Sequence, residues 1–137
     1  MQNLHIKQTA TTPEIKFSPD ENIFLISGTS APEDVRALYY PVIEWTKIFV
    51  DDIIDGEYKK FSKNNPLDLH IDLTYFNSSS AKFLYDILAE IKRIPTEICA
   101  VLVSWNYDAE DVDMIEAGKD IASLVEMEFR YIPKSRN

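Results

Sequence analysis

The stretch Leu67-Asp68-Leu69-His70-Ile71-Asp72-Leu73-Thr74-Tyr75-Phe76-Asn77-Ser78-Ser79-Ser80-Ala81-Lys82 changes its period in the middle. Leu67, Leu69, Ile71 and Leu73 alternate with Asp68, His70, Asp72 and Thr74, the two-residue repeat of a strand with one buried face. Beyond the serines, Leu84, Ile87, Leu88 and Ile91 fall at the spacing of a helix stripe. Asn77 to Ser80 is therefore a strand-to-helix turn, where short polar side chains can satisfy the first N–H groups of the helix. Ser78 is placed at the carboxyl end of a strand and the positive end of a helix dipole. In open α/β sheets that junction commonly receives ligands and phosphate groups.

Upstream, Glu14 to Phe17 and Asn22 to Ser27 flank the turn sequence Ser18-Pro19-Asp20-Glu21 and read as an antiparallel pair, with Leu4 to Lys7 as a further edge strand. Gly28 to Ala31 reads as a loop. Pro32 at a first helical position, followed by Glu33 and Asp34, marks a helix start. Val35, Leu38, Val42, Trp45, Phe49 and Ile53 carry that helix to about Ile54, and Pro41 is expected to kink or split it. Lys59, Lys60 and Lys63 precede Pro66 in a connector read as solvated.

Downstream, a helix from Ser79 to Arg93 is closed by Pro95. The nearly continuous apolar run Ile98 to Trp105 suits a central strand covered on both faces. Asp108 to Asp113 supplies carboxylates to the first turn of a third helix, continued by Met114, Ala117, Ile121 and Leu124. Met127, Phe129 and Tyr131 alternate as a last strand, and Pro133 to Asn137 is expected to fray. The pattern predicts one α/β domain over residues 1–137, a mixed sheet with its later strands parallel and three to four helices.

With 137 residues, 45% of them hydrophobic, the chain can bury a full core in one domain. No apolar run approaches the roughly 20 residues of a membrane span, and Met1 to Ala10 lacks the plan of a signal peptide. A cytoplasmic location is expected, with no membrane partner. The net charge of −9 argues against nucleic acid, whose binding rests on Lys and Arg at phosphates. Cys99 is the only cysteine and lies among apolar residues, so a buried, inert thiol is expected.

Chemistry is sparse. His5 and His70 are the only histidines, no Gly-x-Ser-x-Gly elbow exists, and the acidic groups Asp51, Asp52, Asp55 and Asp108, Glu110, Asp111, Asp113 lack calcium-loop spacing. No metal and no cofactor is expected. Tyr39, Tyr40, Trp45 and Trp105 read mainly as core, though a partly exposed member would suit a protein interface. The serine turn remains. One serine would suffice as a cap, so three after an asparagine leave a phosphorylation site as the competing reading.

Thr12-Pro13-Glu14-Ile15, Tyr40-Pro41-Val42-Ile43-Glu44-Trp45, Tyr75 to Lys82, Trp105-Asn106-Tyr107-Asp108 and Asp113-Met114-Ile115-Glu116-Ala117-Gly118 together resemble the SiaC family of bacterial regulatory phosphoproteins. The resemblance runs from Leu4 to Tyr131 and implies a STAS-like fold related to anti-sigma factor antagonists, which carry an Asp-Ser-Ser/Thr-Gly phosphorylation turn at the same junction. It implies a partner switch without catalytic activity. The resemblance further implies that a serine/threonine kinase of the anti-sigma-factor type phosphorylates the turn, that a PP2C-like phosphatase reverses this, and that the unphosphorylated form binds and activates a diguanylate cyclase, linking the switch to cyclic-di-GMP and biofilm control.

The family acceptor follows the asparagine and is typically threonine. Here it is Ser78, with Ser79 and Ser80 as alternatives and Asn77 as the cap. Lys82, Trp105, Tyr107, Asp108, Glu110 and Asp113 are the candidate partner surface, because both helix starts follow parallel strands. The alternatives are an anti-sigma factor antagonist and, from another class, a small serine-dependent hydrolase, which would need a histidine or carboxylate beside Ser78.

Overall fold

A computed structural model of the chain describes residues 2–135. The elements run β1 (Leu4–Ile6), β2 (Glu14–Ser18), a 3-10 turn (Pro19–Glu21), β3 (Ile23–Ser30), α1 (Val35–Ile54), β4 (Leu67–Phe76), α2 (Ser78–Lys92), β5 (Val101–Asp108), α3 (Val112–Val125) and β6 (Arg130–Lys134). The strands form a six-stranded sheet in chain order. β1, β2 and β3 are antiparallel neighbours, and β3 to β6 are parallel. The expected mixed sheet and three of the expected helices are present.

Two adjacent cross-strand rows describe the architecture. Ile6, Ile15, Ile26, Ile71, Trp105 and Tyr131 stand opposite one another across all six strands. The next row is His5, Lys16, Leu25, His70, Ser104 and Arg130. Because successive residues point to opposite faces, the first row lies under the helices and the second faces away from them. Each crossover steps in the same direction, so crossovers of the usual hand put every helix on one side. Burial follows: Leu67, Leu69, Ile71 and Leu73 are enclosed, while Asp68, His70 and Asp72 are only half-buried.

The uncovered face is a polar lattice. Arg130 donates to Asp68 at 2.7 Å and to the buried hydroxyl of Ser104 at 2.7 Å. His70 lies 3.2 Å from Asp68, and Lys134 pairs with Asp72. The expectation that the Ile98–Trp105 run is covered on both faces is thus corrected. β5 is interior to the sheet but clad on one face, and it starts later, because the N–H groups of Ile98 and Cys99 both donate to Pro95 O in a turn closing α2. Cys99 is buried, and its burial pushes the thiol pKa up.

Other boundaries shift for local reasons. β3 continues through the expected loop to Ser30, helped by a register shift at Gly28, whose φ of +112° only glycine adopts readily. Pro32 precedes the first helix instead of opening it, because Asp34 takes the cap and accepts from Ala37 N at 3.1 Å. Pro41 does not split α1. It removes the N–H that Ala37 O would accept, but both residues are exposed to water, while Tyr39, Val42, Phe49 and Ile53 hold the helix to the core.

Glu126 turns left-handed and Met127 N caps Ala122 O, which delays the last strand to Arg130. Pro133 and Lys134, expected to fray, pair instead with Tyr107 and Asp108. Ser135 follows β6, and Arg136 and Asn137 lie outside the described residues. In the connector, Lys60 is not merely solvated, since its ammonium donates to Pro19 O and Asp20 O.

Candidate functional site

The serine turn is built outward from Ser30. Its carbonyl accepts Asn77 N at 3.0 Å and Ser80 Oγ at 3.0 Å, fastening the turn between β4 and α2 to the end of β3. Its hydroxyl donates to Ser80 Oγ at 2.8 Å and takes a 2.6 Å bond from Tyr39 of α1. Both serine hydroxyls in this chain donate and accept, and the Tyr39 hydroxyl donates, so each enclosed hydroxyl has a partner. Burial raises the Tyr39 phenol pKa, with its bonds to Ser30 and Ser80 opposing the effect. The ring of Tyr39 stacks on Phe83 of α2, centroids 5.6 Å apart.

Asn77 is the N-cap, with its Oδ1 accepting from Ser80 N at 2.9 Å and from Ser79 Oγ at 3.1 Å. The helix therefore opens at Ser78, one residue before the expected Ser79. The serines then part company. Ser80 is 0% exposed and held on Ser30, so it is withdrawn as an acceptor candidate. Ser79 is exposed but its hydroxyl is occupied on Asn77. Ser78 is exposed at the first position of α2, where free helix N–H groups and the dipole favour an anion.

No histidine or carboxylate among the described residues is bonded to the Ser78 hydroxyl. His5 is engaged by Glu14, and His70 lies with Asp68 on the face away from the helices. Nor do the described residues hold a group of three or more His, Cys, Asp or Glu able to bind a metal. No described helix is long and apolar enough to cross a membrane.

The remaining surface candidates divide. Trp105 is 0% exposed, which corrects its assignment to a partner surface. Its indole N–H donates to Met114 O at 3.0 Å and its ring lies against Phe76 and Phe129. Tyr107 is half-buried opposite Pro133. Asp108 ends β5 and accepts Glu110 N, while Asp111 caps α3 by accepting Met114 N. Only Asp113 of this cluster lies in the first turn of α3.

Glu110 and Asp113 are exposed. A depression of about 330 Å³ joins Thr74, Tyr75 and Phe76 of β4 to Asp111, Asp113 and Met114, so the end of β4 and the start of α3 share a face. Lys82 lies elsewhere, in the groove between α2 and α1.

Two residues went unremarked in the sequence. Tyr75 is 54% exposed because the register shift after Gly28 breaks the alternation of β4: Tyr75 pairs with Thr29, while Phe76 pairs with the buried Ser30 and packs on Trp105 in its place. Val112, between Asp111 and Asp113, is 67% exposed. An aromatic next to the serine turn and an aliphatic inside an acidic run were the available signals.

The SiaC family regulatory phosphoprotein model matches residues 6–134. An uncharacterised protein of Pseudomonas aeruginosa (strain UCBPP-PA14) is 30% identical over 120 residues, covering 88% of this chain and 87% of that protein. The crystal structure of apo-SiaC from Pseudomonas aeruginosa superposes with a TM-score of 0.79 at 28% identity, covering 96% of this chain and 99% of that one. A chain in the crystal structure of the diguanylate cyclase SiaD in complex with its activator SiaC, from the same species, superposes with a TM-score of 0.77 at 26% identity, covering 97% of this chain and 99% of that one.

Proposed function

Because the chain belongs to the SiaC family of regulatory phosphoproteins, we propose that it is a phosphorylation-controlled partner switch whose unphosphorylated form binds and activates a diguanylate cyclase. It does so in the cytoplasm and without chemistry of its own. The activator role is carried over from SiaC, which activates SiaD in the complex to which this chain is similar. The observation that carries the control by phosphate is the division among the serines, with Ser80 sealed, Ser79 engaged and Ser78 presented at the helix start. Ser78 is the acceptor for a serine/threonine kinase of the anti-sigma-factor type, and a PP2C-like phosphatase reverses it.

A phosphate at Ser78 adds about two negative charges and three acceptor oxygens. The N–H groups opening α2 and its dipole can accommodate them, so the fold survives modification. What changes is the exposed surface. The partner surface comprises Ser78, Tyr75 and Val112, with Asp108, Glu110 and Asp113 at its acidic side and Tyr107 below. A phosphate in that surface hinders an apolar contact sterically and by its hydration.

The test incubates wild type and Ser78→Ala with ATP and a serine/threonine kinase of the anti-sigma-factor type, followed by intact-mass and fragment mass spectrometry and an assay of cyclase stimulation. The expected result is one phosphate on Ser78, absent in the variant, with cyclase stimulation lost on phosphorylation of the wild type and retained by Ser78→Ala. Phosphate confined to another residue would overturn the acceptor assignment, and a cyclase indifferent to both forms would overturn the partner.

A further inference from the structure

Ser78, Lys82 and Asp86 are spaced by four along α2, so their side chains follow one line on its surface. In the unphosphorylated protein Lys82 serves the far end of that line. Its ammonium donates to Asp86 Oδ2 at 2.9 Å and stands 4.9 Å from the centroid of the Phe83 ring. We propose that Lys82 is a two-position switch: a phosphate on Ser78 draws it off Asp86 and Phe83, so that phosphorylation also alters the groove between α1 and α2. The proposal rests on Ser78 being the acceptor.

Three physical differences favour the exchange. A cation four residues after an anion is the better helix pairing, whereas Lys82 followed by Asp86 is the reversed and weaker order. The phosphate carries close to two charges against one on the carboxylate. The existing pair is also solvent-exposed, with 70% of the Lys82 side chain and 32% of that of Asp86 accessible, and exposed pairs are easily surrendered.

The consequence reaches beyond the turn. Phe83 is nearly buried and stacks on Tyr39, whose hydroxyl belongs to the Ser30 and Ser80 network. Tyr40, 56% exposed, meets Phe83 edge-on at 5.8 Å. Lys82, Phe83, Tyr40 and Asp86 line one groove of about 540 Å³. Moving Lys82 toward Ser78 takes a cation off the Phe83 ring and leaves Asp86 without its lysine, making the groove more acidic and its aromatic edge more accessible.

The experiment places phosphoserine at position 78 by genetic encoding in the full chain, with no kinase involved, and follows the second ionisation of the phosphate by phosphorus NMR. Wild type, Lys82→Gln, Asp86→Asn and the double variant form a cycle. The expected midpoint in wild type is lower than in Lys82→Gln by roughly half a pH unit, the scale of an exposed ion pair. Asp86→Asn is expected to lower it further, and that additional fall should vanish when Lys82 is also replaced.

Equal midpoints in wild type and Lys82→Gln would overturn the proposal, leaving Lys82 on Asp86. A Lys82 effect that Asp86→Asn does not enlarge would also overturn it, since no exchange then takes place. Neither outcome touches the kinase's choice of Ser78, which the mass-spectrometric experiment decides separately.

Discussion

Gly118 of α3 faces the indole of Trp105 so closely that a Cβ on the glycine would lie 2.6 Å from Nε1. The ring cannot easily retreat, because its N–H is bound to Met114 O and its faces are packed in the core. Helix propensity favours alanine over glycine by about 1 kcal/mol, but forcing a methyl into a filled contact costs about 1–3 kcal/mol or more. Gly118→Ala should therefore lower stability on balance, seen as an earlier midpoint in urea unfolding with an unchanged slope. A neutral or stabilising result would show that α3 can shift outward from β5 at little cost.

Tyr39 makes alkaline stability a property of the serine turn. Its phenol pKa is raised in the folded chain by burial, so above the ordinary tyrosine value of about 10 the unfolded chain loses a proton that the folded one retains. Stability then falls as pH rises through that range and is unaffected by this group well below it. Tyr39→Phe should cost about 1 kcal/mol near neutrality through the lost hydrogen bond to Ser30. It should also shallow the decline that sets in above about pH 10. Tyr58 and Tyr131, also raised by burial, leave a residual slope. Urea titrations at a series of pH values measure both effects, and parallel curves for variant and wild type would refute the linkage.

Tyr75 and Val112 should outweigh the carboxylates around them in partner binding. Exposed aromatics at a partner surface give larger losses on truncation than rim charges. Tyr75→Ala is expected to weaken cyclase binding by at least about tenfold, mainly through faster dissociation. Asp113→Lys should act chiefly on the association rate and its salt dependence. Surface plasmon resonance at two ionic strengths separates the two. A Tyr75→Ala protein with wild-type dissociation would move the interface away from the end of β4.

The strand-to-helix junction was legible because its evidence is local. Alternation through Leu73, a cap at Asn77 and the stripe from Leu84 lie within one short stretch, and α2 begins one residue from its expected start. Where the sequence misled, the deciding partner lay far along the chain. Trp105 read mainly as core, as its burial bears out, but its place beside Asp108 also put it on the partner surface, and the contact that rules this out comes from Gly118, thirteen residues on. Ser80 resembled its neighbours until Ser30, fifty residues earlier, claimed its hydroxyl. β5 was misplaced because hydrophobicity marks burial rather than hydrogen bonding, and Ile98 and Cys99 are apolar residues in a turn. The uncovered sheet face was written in Asp68, His70 and Asp72, but the apolar run preceding Trp105 masked it in β5.

The strand order, identical to the chain order, bears on how the protein is made. As the chain leaves the ribosome, every new strand finds its only earlier neighbour already in place, and no slot has to be held open for a segment not yet synthesised. The hairpin of β2 and β3 supplies a short-range start, and each later helix–strand unit lengthens the sheet by one position. Assembly can thus proceed as stepwise accretion, with β1 as the fixed edge and a single strand awaiting its successor at the growing one.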